Sequence, residues 1–82
     1  MRILLVEDEI KTADALKIGL ENSGYKVDVA YDGSTGLSLF KSYHYAIIIS
    51  DVIMPKINGF DLCRQIRKVN TQIPILLLTA LY

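Results

Sequence analysis

The sequence predicts an α/β fold: a parallel sheet with helices on both of its faces. Short apolar segments alternate with segments of helical spacing, in the order β-α-β-α-β-α-β. Three of the four strand segments are apolar at every position, which is typical of parallel strands buried on both faces. These segments are residues 3–6, 46–49 and 75–78. Strands that alternate with helices in this way build layered α/β domains.

The first half of the chain contains two strands of different character. After the first strand, apolar side chains recur at steps of three and four from Ile10 to Leu20, which predicts a helix with one apolar stripe. Residues 25–31 instead alternate apolar and polar side chains and predict a strand. The charged residues Lys26 and Asp28 in this strand indicate a position at the edge of the sheet.

The second half continues the same alternation. Ser34 or Thr35 is expected to cap a short second helix. Asn58 and Gly59 can signal a hairpin turn. The segment after them has helical spacing, however, so we interpret them as the junction between a loop and a third helix. Pro74 opens the last apolar strand.

The composition narrows the classes of function. The 82 residues carry nine Lys plus Arg and nine Asp plus Glu, so the formal net charge is zero and no basic stripe indicates a nucleic-acid surface. The apolar strand segments are far shorter than the roughly 20 residues that span a bilayer, and the N-terminus lacks a signal-peptide pattern. The single cysteine, Cys63, excludes an internal disulfide. Together these features predict a cytoplasmic protein.

Acidic side chains follow two of the apolar strands. Glu7 and Asp8 come directly after the first strand, Asp51 ends the third, and Thr79 follows the fourth. In an open parallel sheet, ligands bind beyond these carboxyl ends. Two carboxylates about 4 Å apart repel each other by roughly 4 kcal/mol at an effective dielectric constant near 20, so such a cluster takes up a proton or a cation. Oxygen ligands open to water suit Mg²⁺, and the absence of a Cys/His cluster in the sequence argues against zinc.

Three blocks of sequence resemble the signature blocks of bacterial response-regulator receiver domains. They are LLVEDE at 4–9, SDVIMPKINGFDL at 50–62 and PILLLTA at 74–80, in the order and at the spacing of that family. The resemblance covers the whole chain. It implies a doubly wound parallel sheet of the flavodoxin-like receiver fold with strand order 2-1-3-4-5, an order for which a receiver protein is itself a standard example.

The resemblance also implies a role for each residue of the predicted site. Asp51 is the phosphoacceptor, the nucleophile that forms an aspartyl phosphate. Asp8 and Asp51 bind Mg²⁺ directly, Glu7 contributes through water, and the backbone carbonyl of Ile53 completes the metal ligands. Thr79 donates a hydrogen bond to a phosphoryl oxygen and moves with it as a switch. Such a domain is a self-phosphorylating signalling module rather than a turnover enzyme.

The family pattern continues past the last residue of this sequence, Tyr82. A lysine that pairs with the phosphoryl group and an aromatic switch residue both belong to a fifth strand. We therefore expect residues 1–82 to be a partial receiver domain without the fifth strand and the last two helices, and to be phosphorylated less efficiently for that reason.

The resemblance implies particular partners. A sensor histidine kinase supplies the phosphoryl group, and the parent protein carries a C-terminal DNA-binding output domain. This segment itself is expected to bind neither nucleic acid nor membrane. An apolar fourth strand without charges is a poorly protected sheet edge, so we also expect the chain to self-associate through residues 75–78.

Two other functions remain open from the sequence. One is an interaction-only pseudo-receiver, which would be expected to have lost the acid pair or the phosphoacceptor. The other is a Mg²⁺-dependent phosphatase with an aspartate nucleophile. Such phosphatases resemble receivers but usually have a second acid two residues after the nucleophile, where this sequence has Ile53.

Overall fold

The computed structural model describes residues 1–79, which form four strands and three helices. The elements in chain order are β1 (Arg2–Val6), α1 (Ile10–Asn22), β2 (Lys26–Ala30), α2 (Gly33–Ser42), β3 (Ile47–Asp51), α3 (Gly59–Val69) and β4 (Ile75–Leu78). The last residue of the third signature block, Ala80, and the final residue, Tyr82, lie outside the described part. No helix within residues 1–79 is both long and apolar enough to cross a membrane.

All strand pairs in the sheet are parallel, and the strand order is β2-β1-β3-β4. The chain moves outward from β1 to β2 and then crosses back over β1 to add β3 and β4 on the other side. This reversal of direction between β1 and β3 creates a crevice at their carboxyl ends. The predicted fold class and the first four positions of the predicted strand order are confirmed.

The sheet separates two apolar clusters. On one face α1 packs against β1 and β2, and the buried residues there are Ile3, Leu5 and Val27. On the other face α2 and α3 cover a larger core, whose buried residues are Leu4, Val6, Ala30, Ile48, Met54, Leu62, Ile66 and Ile73. The side chains of successive β1 residues therefore pack into opposite cores, which explains why that strand is apolar from residue 3 to residue 6.

The edge strand β2 is protected by charge, as the sequence predicted. Lys26 is exposed, and Asp28 forms an ion pair with Arg2 at 2.7 Å. The same Asp28 oxygen accepts a 2.7 Å hydrogen bond from the Tyr45 hydroxyl, and the Arg2 guanidinium lies 4.6 Å from the centre of the Tyr43 ring. This network ties β1, β2 and the start of β3 together at the amino ends of the strands.

The prediction that β4 is buried on both faces is wrong. Leu76 is 49% exposed and the other three residues of β4 are only half-buried. In the third predicted strand, Ile47 and Ile49 are likewise half-buried. The reason is that α1, the helix on that face, packs on β1 and β2 and leaves the β3–β4 side open. Ile10, the first residue of α1 and of the predicted apolar stripe, is also 60% exposed.

The N-cap of α2 also differs from the prediction. Neither Ser34 nor Thr35 caps the helix; Asp32 does, and its carboxylate accepts hydrogen bonds from the Thr35 N–H at 2.7 Å and the Thr35 hydroxyl at 3.1 Å. The backbone bond to Thr35, followed by the hydroxyl bond, lowers the pKa of the Asp32 carboxyl below its ordinary value. The exposed Asp32 side chain thus stabilises α2 in its ionised form.

This cap predicts a pH-dependent contribution to stability. Asp32→Ala should lower the free energy of unfolding by about 1 kcal/mol at neutral pH. Because the folded pKa is depressed, the contribution is present above the unfolded pKa near 4 and is lost as pH falls through the folded pKa. Urea denaturation at several pH values measures the difference. Asp32→Asn, which caps without titrating, is the control and should remove the pH dependence but not the cap.

Helix α2 approaches β1 closely at a glycine. A Cβ atom added to Gly36 would lie 2.8 Å from Cγ2 of Val6, a fully buried side chain. By contrast, a Cβ at Gly19 in α1 would meet nothing within 4 Å. The first glycine therefore sets the helix–sheet distance, whereas the second has no packing role.

Alanine substitutions at these two glycines should have opposite effects. Gly36→Ala should lower the free energy of unfolding by about 1–3 kcal/mol, because the core must move to admit the methyl group. Gly19→Ala should raise it by about 0.5–1 kcal/mol through helix propensity alone. Equilibrium unfolding of both variants measures the effects. A stabilised Gly36→Ala variant would contradict the close packing of α2 on β1.

Candidate acidic site at the carboxyl ends of the strands

Three carboxylates lie together where β1 and β3 end. Glu7 and Asp8 follow β1 directly, and Asp51 is the last residue of β3. One oxygen from each of the three side chains lies within 4.8 Å of the other two. The pairing of β1 with β3 runs from Ile3 opposite Ile47 to Val6 opposite Ser50, so the next residues along, Glu7 and Asp51, come side by side.

Glu7 is the buried member of the cluster. Its side chain is only 8% exposed. Its carboxylate accepts a 3.0 Å hydrogen bond from the Glu9 N–H, and its own N–H donates to the carbonyl of Ala30 at 3.0 Å. Burial raises the pKa of the Glu7 carboxyl, and the neighbouring charges of Asp51 and Asp8 raise it further, while the Glu9 N–H opposes the shift. The site therefore holds more negative charge than its surroundings stabilise.

Thr79 lies beside Asp51 on the opposite side from Glu7. β4 pairs with β3 so that Leu78 is opposite Asp51, and the Val52 N–H donates to the carbonyl of Leu78 at 2.9 Å. Thr79 is the next residue and its side chain is exposed. Asp51 thus stands on the middle strand of three, between the two acids that follow β1 and the hydroxyl that follows β4.

The loop after Asp51 is held by a glycine. The Gly59 N–H donates to the carbonyl of Val52 at 2.8 Å. A Cβ at this position would collide with the carbonyl oxygen of Asp51 and lie 2.8 Å from Cα of Val52. Ile53 lies inside this loop with its side chain 74% exposed. The loop can fold back tightly under Asp51 only because residue 59 has no side chain.

Asn58 starts the helix that follows this loop. Its side chain accepts a hydrogen bond from the Asp61 N–H at 2.9 Å, and the Asp61 carboxylate accepts one from the Asn58 N–H at 3.3 Å, which forms a capping box. The predicted loop-to-helix junction at these residues is confirmed. The Asn-x-x-Asp spacing before an apolar stripe is a signal for this cap that our sequence interpretation did not use.

Sequence reasoning missed a buried hydroxyl behind the site. Ser50 is 1% exposed, and its hydroxyl donates to the backbone carbonyl of Asp51 at 2.9 Å. A single serine in an apolar strand carries no signal that distinguishes it from a surface residue. The aromatic residue Tyr31 is instead 42% exposed, and its hydroxyl donates to Asp14 at 2.8 Å.

The donor set of the cluster fits a hard divalent cation. All the side-chain donors are carboxylate oxygens, the ligands that Mg²⁺ prefers, and Asp8 is exposed so that water can complete an octahedron. Zn²⁺ sites instead use His and Cys, and neither occurs in the cluster. Burial is the main cause of the raised pKa of Glu7, and the charges of Asp51 and Asp8, which add to it, are ones that a cation would neutralise.

Fold and site together define a doubly wound α/β domain with an acidic site at its topological switch point. The chain belongs to the response regulator receiver domain family, which matches residues 3–81. Members of this family are signalling modules of two-component systems rather than turnover enzymes.

The chain is similar to part of several longer regulatory proteins. The chain is 46% identical over 81 residues to the transcriptional regulatory protein CusR of Escherichia coli strain K12, an alignment that covers 99% of this chain and 36% of CusR. It is 44% identical over 79 residues to the response regulator ArlR of Staphylococcus saprophyticus, which covers 96% of the chain and again 36% of the relative. The chain therefore spans about a third of the length of these proteins.

Solved structures with the same fold include the response regulator TrrA of Thermotoga maritima in complex with Mg²⁺ and BeF. That structure has a TM-score of 0.93 and 40% identity, covering 98% of this chain and 70% of TrrA. A second structure contains TrrA in complex with the histidine kinase ThkA, with a TM-score of 0.90, 40% identity, and coverage of 96% and 68%.

The repulsion within the cluster predicts that one acid destabilises the metal-free protein. Asp51→Asn, measured with a chelator present, should raise the free energy of unfolding by about 1 kcal/mol, because it removes a charge that raises the pKa of Glu7. Asp28→Asn is the matched control: the same change at an ion-paired carboxylate should instead cost about 1 kcal/mol. Loss of stability in the Asp51 variant would contradict repulsion at the site.

Proposed function

We propose that this chain is a phospho-accepting receiver in which Asp51 takes a phosphoryl group in a Mg²⁺-dependent reaction. The observation that carries the proposal is the meeting of the Glu7, Asp8 and Asp51 carboxylates at the carboxyl ends of β1 and β3. The membership of the chain in the response regulator receiver domain family supports this role for the acidic cluster.

Asp51 is the acid best placed to react. Glu7 is buried and its carboxylate is already bonded to the Glu9 N–H. Asp8 is exposed and follows β1 at the side of the crevice. Asp51 is half-buried on the middle strand, with acids on one side and the Thr79 position on the other. A phosphoryl group on Asp51 would therefore have neighbours on both sides.

The reaction needs little from the protein beyond position and charge. An Asp51 oxygen attacks phosphorus while the phosphorus–nitrogen bond of a phosphohistidine breaks, and the departing imidazole nitrogen is protonated. A carboxylate nucleophile carries no proton that a general base would have to remove. Bound Mg²⁺ would neutralise the phosphoryl oxygens and lessen the repulsion between the reacting anions. Asp8 and Asp51 would hold it directly, the backbone carbonyl of Ile53 would complete the protein ligands, and Glu7 would act through water.

We assign to Thr79 the recognition of the attached phosphoryl group. Thr79 is an exposed residue directly after β4, adjacent to the end of β3. A hydroxyl can donate a hydrogen bond to a phosphoryl oxygen. A movement of Thr79 toward that oxygen would also displace the end of β4. The added charge on Asp51 would in this way alter the surface that the domain presents to a partner.

The proposed phosphoryl donor is a sensor histidine kinase. The structure of ThkA in complex with the related TrrA supports a partner of this kind. Relatives such as CusR are transcriptional regulatory proteins, so a DNA-binding output domain in a longer parent protein is part of the proposal, with residues 1–82 as part of its receiver. The cytoplasmic location expected from the sequence stays a prediction.

Phosphorylation can be tested directly with a small phosphodonor. Incubation of the chain with acetyl phosphate and Mg²⁺ should add one phosphoryl group, located on Asp51 by mass spectrometry after borohydride trapping. Asp51→Asn should abolish the modification. Glu7→Gln should raise the Mg²⁺ concentration needed for half-maximal labelling by roughly 10–100-fold, as expected of a residue that acts through a metal-bound water.

The control variant is Asp32→Asn. Asp32 is an acid at the carboxyl end of β2 that does not belong to the cluster, so its variant should be labelled at the wild-type rate. Labelling that persists in Asp51→Asn would refute the assignment of the phosphoacceptor. A folded chain that binds Mg²⁺ but accepts no phosphoryl group would favour the interaction-only alternative.

A further inference from the structure

A polar side chain lies in the apolar core behind the site. Ser50 is 1% exposed and stands in β3 one residue before Asp51. Its side chain points to the same face of the sheet as that of Ile48, which belongs to the core under α2 and α3. Among residues 1–79, Ser50 and Glu7 are the two buried residues with a polar or charged side chain, and both adjoin the acidic cluster.

Core packing alone gives no reason for a serine at this position. A hydroxyl that is taken out of water costs free energy unless it forms a hydrogen bond, and an alanine would fill nearly the same volume without that cost. The Ser50 hydroxyl forms its bond with the backbone, because it donates to the carbonyl of Asp51 at 2.9 Å. The effect of the serine is therefore to be sought at that carbonyl.

The Asp51 carbonyl belongs to the planar peptide unit that joins Asp51 to Val52. The N–H of the same unit donates to the carbonyl of Leu78 in β4 at 2.9 Å. The carbonyl oxygen at its other end lies close to Gly59, the first residue of α3. The unit is therefore held on one side by β4 and on the other by the Ser50 hydroxyl, at the point where the chain leaves the sheet.

The orientation of this peptide unit determines how two of the proposed metal ligands stand relative to each other. The Asp51 side chain precedes the unit, and the backbone carbonyl of Ile53 follows it one residue later. A rotation of the unit would therefore move the Ile53 carbonyl relative to the Asp51 carboxylate. Mg²⁺ tolerates such a change poorly, because it requires near-ideal octahedral geometry with ligands at about 2.0–2.1 Å.

We propose that Ser50 is a positioning residue of the metal site. Its hydroxyl holds the peptide unit between Asp51 and Val52 in the orientation that lets the Asp51 carboxylate and the Ile53 carbonyl bind one Mg²⁺. This inference rests on the proposed function, from which it takes the roles of Asp51 and Ile53. It adds a residue that touches neither the metal nor the phosphoryl group and acts on both through the backbone.

The affinity for Mg²⁺, measured by isothermal titration calorimetry of the whole chain without a phosphodonor, tests this role. Ser50→Ala should raise the Mg²⁺ dissociation constant by roughly tenfold or more, as expected when a group that orients metal ligands is lost. Ser50→Thr keeps the hydroxyl and should bind Mg²⁺ as the wild-type chain does. If circular dichroism shows that its extra methyl group prevents folding, Ser50→Cys takes its place. A thiol is a weak donor, so that variant should bind Mg²⁺ more tightly than Ser50→Ala but less tightly than the wild-type chain.

Two control variants separate positioning from a general loss of stability. Ile66→Val removes a methylene group from a fully buried side chain of α3, so it should lower the resistance to urea and leave the Mg²⁺ affinity unchanged. Ser42→Ala removes a 2.9 Å hydrogen bond from a hydroxyl to the backbone carbonyl of Ser38, at the C-terminal end of α2, and should also leave the affinity unchanged. Weaker Mg²⁺ binding by the Ile66 variant, or wild-type affinity in Ser50→Ala, would overturn the proposal.

Labelling with acetyl phosphate distinguishes a failure of this inference from a failure of the proposed function. If the wild-type chain is phosphorylated on Asp51 and Ser50→Ala needs no more Mg²⁺ for half-maximal labelling, Ser50 has no positioning role, although the phosphoacceptor is correct. If Ser50→Ala weakens Mg²⁺ binding but the wild-type chain accepts no phosphoryl group, the positioning role stands and the proposed reaction fails. A wild-type chain that binds no Mg²⁺ would overturn both.

Discussion

The parallel pairing of β1 with β3 is the interaction on which the site depends. Val6 opposite Ser50 makes Glu7 and Asp51 the next residues along, and a slip of two residues would separate them by about 6.6 Å. The register is fixed by the cores, because β1 sends Leu4 and Val6 to one and Ile3 and Leu5 to the other. Core packing therefore determines where the acids meet.

Bringing acids together opposes folding, and the surrounding structure offsets that cost. Burial raises the pKa of Glu7, while the Glu9 N–H partly compensates its charge. The tight return of the chain at Gly59, under the backbone of Asp51, holds the third acid in place. Because the fold holds these repelling carboxylates together, a cation that binds between them relieves the repulsion. A bound cation would then attract an anionic group, which is the chemistry proposed for the site.

Within residues 1–79, the β2 side and the β4 side of the sheet differ in how well they are covered. At β2, Arg2, Asp28 and Tyr45 form a hydrogen-bonded network that closes the edge. At β4 the apolar side chains are half-buried or exposed, since α1 packs on β1 and β2. Thr79 follows β4 directly, so the residue proposed to respond to phosphorylation is exposed at the end of a strand whose side chains are only partly buried within residues 1–79.

The sequence alone determined the order of elements, the parallel sheet and the edge position of β2, because apolar runs, helical spacing and edge charges are local signals. It also indicated Glu7, Asp8 and Asp51 as one candidate site, since the carboxyl ends of parallel strands share one side of a sheet. It did not predict the exposure of Leu76, the cap at Asp32 or the burial of Ser50. These features depend on which helix covers which strand and on the distances between the elements. A local sequence pattern contains neither kind of information. The tertiary structure decided them, because burial belongs to the arrangement of neighbours rather than to the residue.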